Sequence, residues 1–266
     1  RDFRWNTYEN QQTAKLLASD LEYALSKGAL ELYYQPQVKR DGTLYGCEAL
    51  LRWNYMGQGF VYPPLIIALA VQGDFIGTLG MYIVEKACRD MAGARTQAGC
   101  PVSFSVNILP LELEDPSFAD QVLKILKDTG VEGSNLTIEL TEQVALNPGP
   151  NLERQLEKLR ESRVRISMDD FGMGHGSLNY LNSAHYDEVK IDGSLIRRLP
   201  EHTQTCELVG NIMNMSRILG VNTVAECVET PEQIQMLEKL GCSIYQGYYY
   251  SKPLPRDAFI EYVKGL

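Results

Sequence analysis

The side chains best suited to gripping a hard cation recur at the ends of apolar runs along this chain. Glu48 follows Leu44–Cys47, Asn107 closes Val102–Val106, Glu139 lies in Leu136–Leu140, and Asp169 with Asp170 closes Val164–Met168. Lys190 lies within Val189–Ile191, Glu226 closes Val221–Ala225, and Gln246 ends Cys242–Tyr245. Buried strands that keep delivering oxygen donors at one end describe the active rim of a β/α barrel. So many convergent carboxylates repel one another unless cations lie between them. The pattern points to a metal-dependent enzyme.

Strand geometry sharpens some of these groups. In Gly46–Trp53 the period of two puts Glu48, Leu50 and Arg52 on one face, with Glu48 and Arg52 about 13 Å apart along the strand. The stretch Asp169-Asp170-Phe171-Gly172-Met173-Gly174 places two carboxylates where a chain leaves a strand, and both can turn inward there. Lys190 shares a strand face with Asp192, between Val189 and Ile191, where an ammonium is costly to bury without carboxylate partners. Each group also has a plainer reading on its own. Glu48 and Arg52 could pair on an edge strand, the two aspartates could make a turn, and Lys190 could form a structural salt bridge. Glu226 and Glu229 could face a helix N-terminus. His175 reads as a loop residue, and Tyr245, Tyr248, Tyr249 and Tyr250 as wall packing.

The elements that must position these residues alternate. Leu30–Val38 and Leu44–Trp53 read as strands joined by a short turn at Asp41-Gly42, which makes them antiparallel. Helical spacing follows at Leu65–Val71, Leu79–Ala98, Leu111–Asp128, Asn151–Ser162, Glu207–Leu219 and Pro231–Leu240. Strands fall between them at Val102–Val106, Leu136–Leu140, Val164–Met168, Glu188–Ile191, Val221–Ala225 and Ser243–Tyr245. Gly130, Gly220 and Gly241 sit where a left-handed helix end is wanted, and Thr230-Pro231-Glu232-Gln233 offers a capping box. The expected fold is α/β: a modified TIM-type (β/α)8 barrel with an antiparallel first strand. Residues 1–20 read as a linker and helix start, and residues 21–266 as one barrel domain.

Composition bounds the partners. The 266 residues carry a net charge of −9 and no basic run, which argues against indiscriminate DNA or RNA binding. Six scattered cysteines without a CxxC pair, and only three histidines, favour reduced thiols over disulfides, zinc or a histidine-built centre. No apolar run approaches ~18 residues. The expectation is a cytoplasmic domain, possible as part of a membrane-anchored parent. The chain opens on Arg1, so it is expected to be a piece of a longer protein.

Together the motifs resemble the EAL domain of bacterial cyclic di-GMP phosphodiesterases. The resemblance rests on Tyr34-Gln35-Pro36, Glu48-Ala49-Leu50-Leu51-Arg52-Trp53, Ser105-Val106-Asn107 and Glu139-Leu140-Thr141-Glu142. It extends through Asp169-Asp170-Phe171-Gly172, Lys190-Ile191-Asp192, Ala225-Glu226 with Val228-Glu229, and Gln246-Gly247. It implies hydrolysis of cyclic di-GMP to linear pGpG by two-metal, in-line attack of water. By that resemblance Glu48, Asn107, Glu139 and Asp169 bind one Mg2+ or Mn2+, and Asp169 and Asp170 a second. Lys190 resembles the residue that holds the attacking water, with Glu226 completing the catalytic group. Gln35, Leu50, Arg52, Asn107, Asp192, Glu229 and Gln246 resemble substrate contacts, and Glu142 the anchor of the Asp170–Gly176 loop. A homodimer and an upstream GGDEF-type or sensory domain are implied too. Tyr55-Met56, Ala68, Val71, Cys227, Met173, His175 and Gly176 depart from the usual pattern, but none removes a metal ligand. The alternatives are a catalytically silent cyclic di-GMP receptor and a barrel lyase or aldolase. Nothing in the sequence supplies the Schiff-base lysine or open-chain sugar pocket that the last would need.

Overall fold

The computed structural model describes residues 11–57, 59–99, 101–142, 149–172 and 186–266. Helix α1 (Gln11–Ser26) leads into strands β1 (Glu31–Lys39) and β2 (Leu44–Arg52), then helices α2 (Pro63–Gln72) and α3 (Ile76–Ala98). Strand β3 (Phe104–Asn107), helices α4 (Pro110–Leu113) and α5 (Phe118–Thr129), strand β4 (Leu136–Thr141) and helix α6 (Pro150–Glu161) follow. The chain continues through β5 (Arg165–Phe171), β6 (Glu188–Ile191), α7 (Gly193–Ile196), α8 (Thr203–Leu219) and β7 (Asn222–Ala225). It ends with α9 (Pro231–Leu240), β8 (Ile244–Gln246), β9 (Leu254–Pro255) and α10 (Arg256–Lys264). Strands β2 through β8 pair in parallel and in order, and β1 closes the ring by pairing antiparallel with both β2 and β8. This is the barrel with a reversed first strand that the short Arg40–Thr43 turn requires.

Two devices shape β1. Strand β8 pairs with Gln37–Lys39, while the short β9 pairs with Tyr33 and Tyr34 on the same edge. Pro36, which has no N–H to donate, falls in the gap between those partners. Opposite, Gln37 faces Gly46 and Val38 faces Leu44, so Tyr45 is a bulged extra residue. Its hydroxyl accepts hydrogen bonds from Arg165 Nη1 and Asn222 Nδ2, both 3.3 Å, at the starts of β5 and β7. Tyr45 therefore plugs the end of the barrel opposite the carboxylates.

Apart from the added short turn of α7, the helices fit the sequence reading with two larger differences. Gly130, Gly220 and Gly241 do end helices at φ of 69°, 71° and 95°, and Thr230 and Gln233 form the capping box. The expected single helix from Leu111 to Asp128 is broken. Pro116 cannot continue the backbone ladder, and Asp115 Oδ1 accepts from both Ser117 N and Ser117 Oγ at 2.8 Å. Helix α10 was not anticipated. Its buried Phe259 and Ile260 pack it on β1, with Phe259 5.6 Å from Tyr34. Among the described residues no helix is long and apolar enough to cross a membrane. Cys47, Cys88, Cys206, Cys227 and Cys242 are free thiols; Cys100 and His175 lie outside the described residues.

Glu112 caps α4, its Oε2 accepting from the Leu109 N–H at 2.8 Å. Its Oε1 is buried without a donor and lies where a Cβ at Gly80 of α3 would go. Burial pushes this carboxyl from its ordinary 4.5 up to about 7, and the capping bond only partly opposes the rise. Between those values the unfolded chain gives up a proton that the fold keeps, so stability falls as pH rises and levels off above the upper value. Urea denaturation of Glu112→Gln should show the stability gap shifting in the variant's favour by on the order of 3 kcal/mol from pH 5 to pH 8. A gap independent of pH would contradict this.

Candidate active site

The site is built from residues of all eight barrel strands, β1 to β8, or the residue just past them. Gln35 faces Glu48 across the β1–β2 hairpin, Asn107 pairs with Glu139, and Thr141 with Asp169. Glu226 sits one residue past β7, where its N–H still donates to Ile191 O at 3.3 Å. The two aspartates of β5 end up together because the register with β6 slips between Met168 and Phe171 and Asp170 takes φ +57°. A regular strand would have sent Asp170 to the opposite face. Instead, oxygens of Asp169, Asp170 and Glu226 all lie within 4.8 Å of one another.

Lys190 is the hub. Its side chain is 0% exposed, with Nζ 2.8 Å from Glu139 Oε2, 2.8 Å from Glu226 Oε1, 3.2 Å from Glu48 Oε2 and 3.4 Å from Asp169 Oδ1. Glu48 is held further by Asn107 Nδ2 at 2.7 Å and Gln246 Nε2 at 2.6 Å. Gln246 also donates to Gln35 Oε1 and accepts from Gln37 Nε2, and Gln35 Nε2 donates to Ser251 O. Gln37 was missed in the sequence; its signal was two residues of spacing from Gln35 on one strand face.

The electrostatics follow from crowding. Burial raises the Glu48 carboxyl, but Lys190 and the Gln246 and Asn107 hydrogen bonds outweigh it, leaving a net lowering. Glu139 goes the other way, driven up by burial and by Glu48 and Asp169 beyond what Lys190 offsets. Burial, with Asp169 and Glu48, takes Glu226 up to about 8 despite Lys190, and burial beside Asp169 raises Asp170. Burial opposes the Lys190 charge, yet Asp169, Glu139, Glu226 and Glu48 together hold its ammonium well above the ordinary range.

The donors suit a hard divalent cation. They are almost all oxygens, the choice of Mg2+ or Mn2+ sites rather than zinc sites. Glu139 Oε1 is buried with no hydrogen-bond partner, which an unfilled protein-only arrangement rarely tolerates. One ammonium cannot balance Glu48, Glu139, Asp169, Asp170 and Glu226.

Other expected residues stand around this cluster. Leu50 and Arg52 climb β2 above Glu48. Asp192 caps α7, its Oδ1 accepting from Ser194 N at 2.8 Å. Glu229 is exposed and outside the carboxylate cluster. Glu142 Oε2 accepts from Gly172 N at 3.2 Å, whereas residues 173–176 of the loop it was expected to anchor lie outside the described residues. Cys227 holds φ +53°, a left-handed conformation that a glycine would adopt with less strain.

Residues 18–253 match the family model described as EAL domain. The chain belongs to the EAL domain family. It is 35% identical over 243 residues to the oxygen sensor protein DosP of Escherichia coli, covering 91% of this chain and 30% of that protein. It is 34% identical over 249 residues to the cyclic di-GMP phosphodiesterase NbdA of Pseudomonas aeruginosa, covering 93% and 32%. Among solved structures, a MucR phosphodiesterase in complex with c-di-GMP superposes with a TM-score of 0.86 at 33% identity, covering 92% of this chain and 99% of that one. The EAL domain chain spans about a third of the length of the first curated relatives.

Replacing the hub tests the crowding directly. Lys190→Met in chelator should lose about 3–5 kcal/mol by urea denaturation, the cost of stranding buried charges, and Mn2+ should restore part of it. A loss below about 1 kcal/mol, the worth of an exposed pair, would mean the carboxylates do not depend on that ammonium.

Proposed function

We propose that this domain is a metal-dependent phosphodiesterase that hydrolyses cyclic di-GMP to linear pGpG and so lowers the level of a second messenger. The carrying observation is the excess of converging carboxylates over the single buried ammonium of Lys190. The name of NbdA and the c-di-GMP complex of MucR support the choice of substrate.

In this reading Glu48, Asn107, Glu139 and Asp169 hold one Mg2+ or Mn2+, and Asp169 and Asp170 a second. When bound there, two such cations would supply a lowered pKa for water and charge to offset that growing on phosphoryl oxygens. Lys190 donates a hydrogen bond to the attacking water, and Glu226 orients Lys190 through the 2.8 Å contact between them. Gln246 steers Glu48 through its 2.6 Å hydrogen bond. Gln35, Leu50, Asn107, Asp192, Glu229 and Gln246 line the substrate, and Arg52 meets a phosphate. Glu142 restrains the start of the loop after Asp170. The barrel from residue 21 onward is the catalytic unit, and residues 1–20 lead into it. It works as a cytoplasmic homodimer within a longer signalling protein that carries a GGDEF-type or sensory domain upstream.

Incubation of purified protein with cyclic di-GMP and Mn2+ should yield pGpG, and chelation should stop it. Glu48→Ala should reduce turnover by about 10³-fold or more, the scale of losing a principal electrostatic contact. Activity within a factor of about three of the parent would refute the assignment. Tight binding by the parent without product would mark a silent receptor instead.

A further inference from the structure

The half of the β1–β2 hairpin above the carboxylates carries an aromatic corner that the hydrolytic residues do not use. Gln35 faces Glu48, Tyr33 faces Leu50 and Glu31 faces Arg52. Residues two apart share a face, so Tyr33 stands one step of about 6.6 Å above Gln35 and Arg52 two steps above Glu48. The Tyr33 and Phe60 rings meet edge to face, with centroids 5.5 Å apart and planes at 74°. The Arg52 guanidinium lies 5.7 Å from the Tyr33 ring centroid.

Phe60 is delivered by a loop that closes on itself. Asn54 bridges to Phe60, Tyr55 N donates to Gly59 O at 3.0 Å, and Val61 N to Trp53 O at 2.9 Å. Tyr33, Arg52 and Phe60 are all only half-buried, and Tyr33 and Arg52 share the strand face of Gln35 and Glu48. The tyrosines after β8 are differently engaged. Tyr250 stacks on Tyr245 at 6.1 Å and meets Tyr249 edge-on at 5.1 Å.

We propose that Tyr33 and Phe60 form the shelf on which one guanine of the cyclic dinucleotide rests, an assignment that depends on the substrate reading above. Two rings near a right angle suit a planar heterocycle, one stacking on its face while the other meets its edge. Arg52, beside Tyr33 and on the same strand face as Glu48, bridges from the shelf to the phosphate held at the carboxylates. Tyr33 and Phe60 thus set specificity for a purine-bearing diester, while the cluster below sets reactivity toward any accessible phosphodiester.

The test compares Tyr33→Leu and Phe60→Leu with Tyr33→Phe, each checked for an unchanged melting transition. Affinity for cyclic di-GMP is read by calorimetry in Ca2+, which fills oxygen sites with looser geometry, and KM and kcat are read in Mn2+. Both leucine variants should raise Kd and KM about tenfold, within the range for losing one stacked base, with kcat changed less than about threefold. Tyr33→Phe keeps the ring and should stay within about twofold, well inside the loss expected of a stacked base. The ratio of efficiencies on cyclic di-GMP and on bis(p-nitrophenyl) phosphate, which has no base, should fall about tenfold in the leucine variants. Unchanged Kd in both leucine variants, or equal losses on the two substrates, would overturn the shelf. A parent that binds without hydrolysing would defeat the phosphodiesterase reading alone, since Kd would still decide the shelf.

Discussion

A single buried ammonium amid a crowd of carboxylates governs this molecule. Lys190 is fully enclosed, and Glu48, Glu139, Asp169 and Glu226 reach it from four different strand ends. A lysine so placed without anions would shed its proton, and carboxylates so placed without a cation would take one up. Each stabilises the charge of the other, yet the balance is incomplete. Glu139 is still driven upward, by burial first and then by Glu48 and Asp169, and keeps one oxygen without a partner. The remaining charge is relieved either by protons held on carboxyls whose pKa is raised or by cations, and the proposed function takes the second course.

The fold exists in a form that can meet that demand. Reversing β1 lets a short hairpin set Gln35 beside Glu48 in fixed register, so an amide from one strand reaches the acid shell without a helical crossover. Two local irregularities then redirect side chains that a regular pleat would have turned away. The bulge at Tyr45 plugs the far end of the barrel. The slip after Met168, with Asp170 at positive φ, brings its carboxylate round to Asp169. Both are deviations of one residue, and each serves the interior.

Much of this was legible in the chain because strand ends and helix stops have local causes. The antiparallel opening followed from a turn too short for a crossover, and Gly130, Gly220 and Gly241 marked helix ends. The carboxylates at successive strand ends were visible as a repeated position rather than as a motif. What escaped notice depends on distant partners. Helix α10 is short and held by Phe259 against Tyr34. The break near Pro116 was hidden by apolar residues at helical spacing on both sides. Gln37 joins the site only because β8 closes beside β1, bringing Gln246 within 3.0 Å. Tyr33 and Phe60 meet through a loop closure that no spacing encodes.

The most direct measurement is anomalous diffraction from crystals grown with Mn2+. The account predicts metal density in direct contact with Glu48, Asn107, Glu139 and Asp169, a second peak beside Asp170, and the Lys190 ammonium released from the metal-bound carboxylates while it stays on Glu226. Strong anomalous density elsewhere, with Lys190 still paired to all four carboxylates at saturating Mn2+, would contradict it.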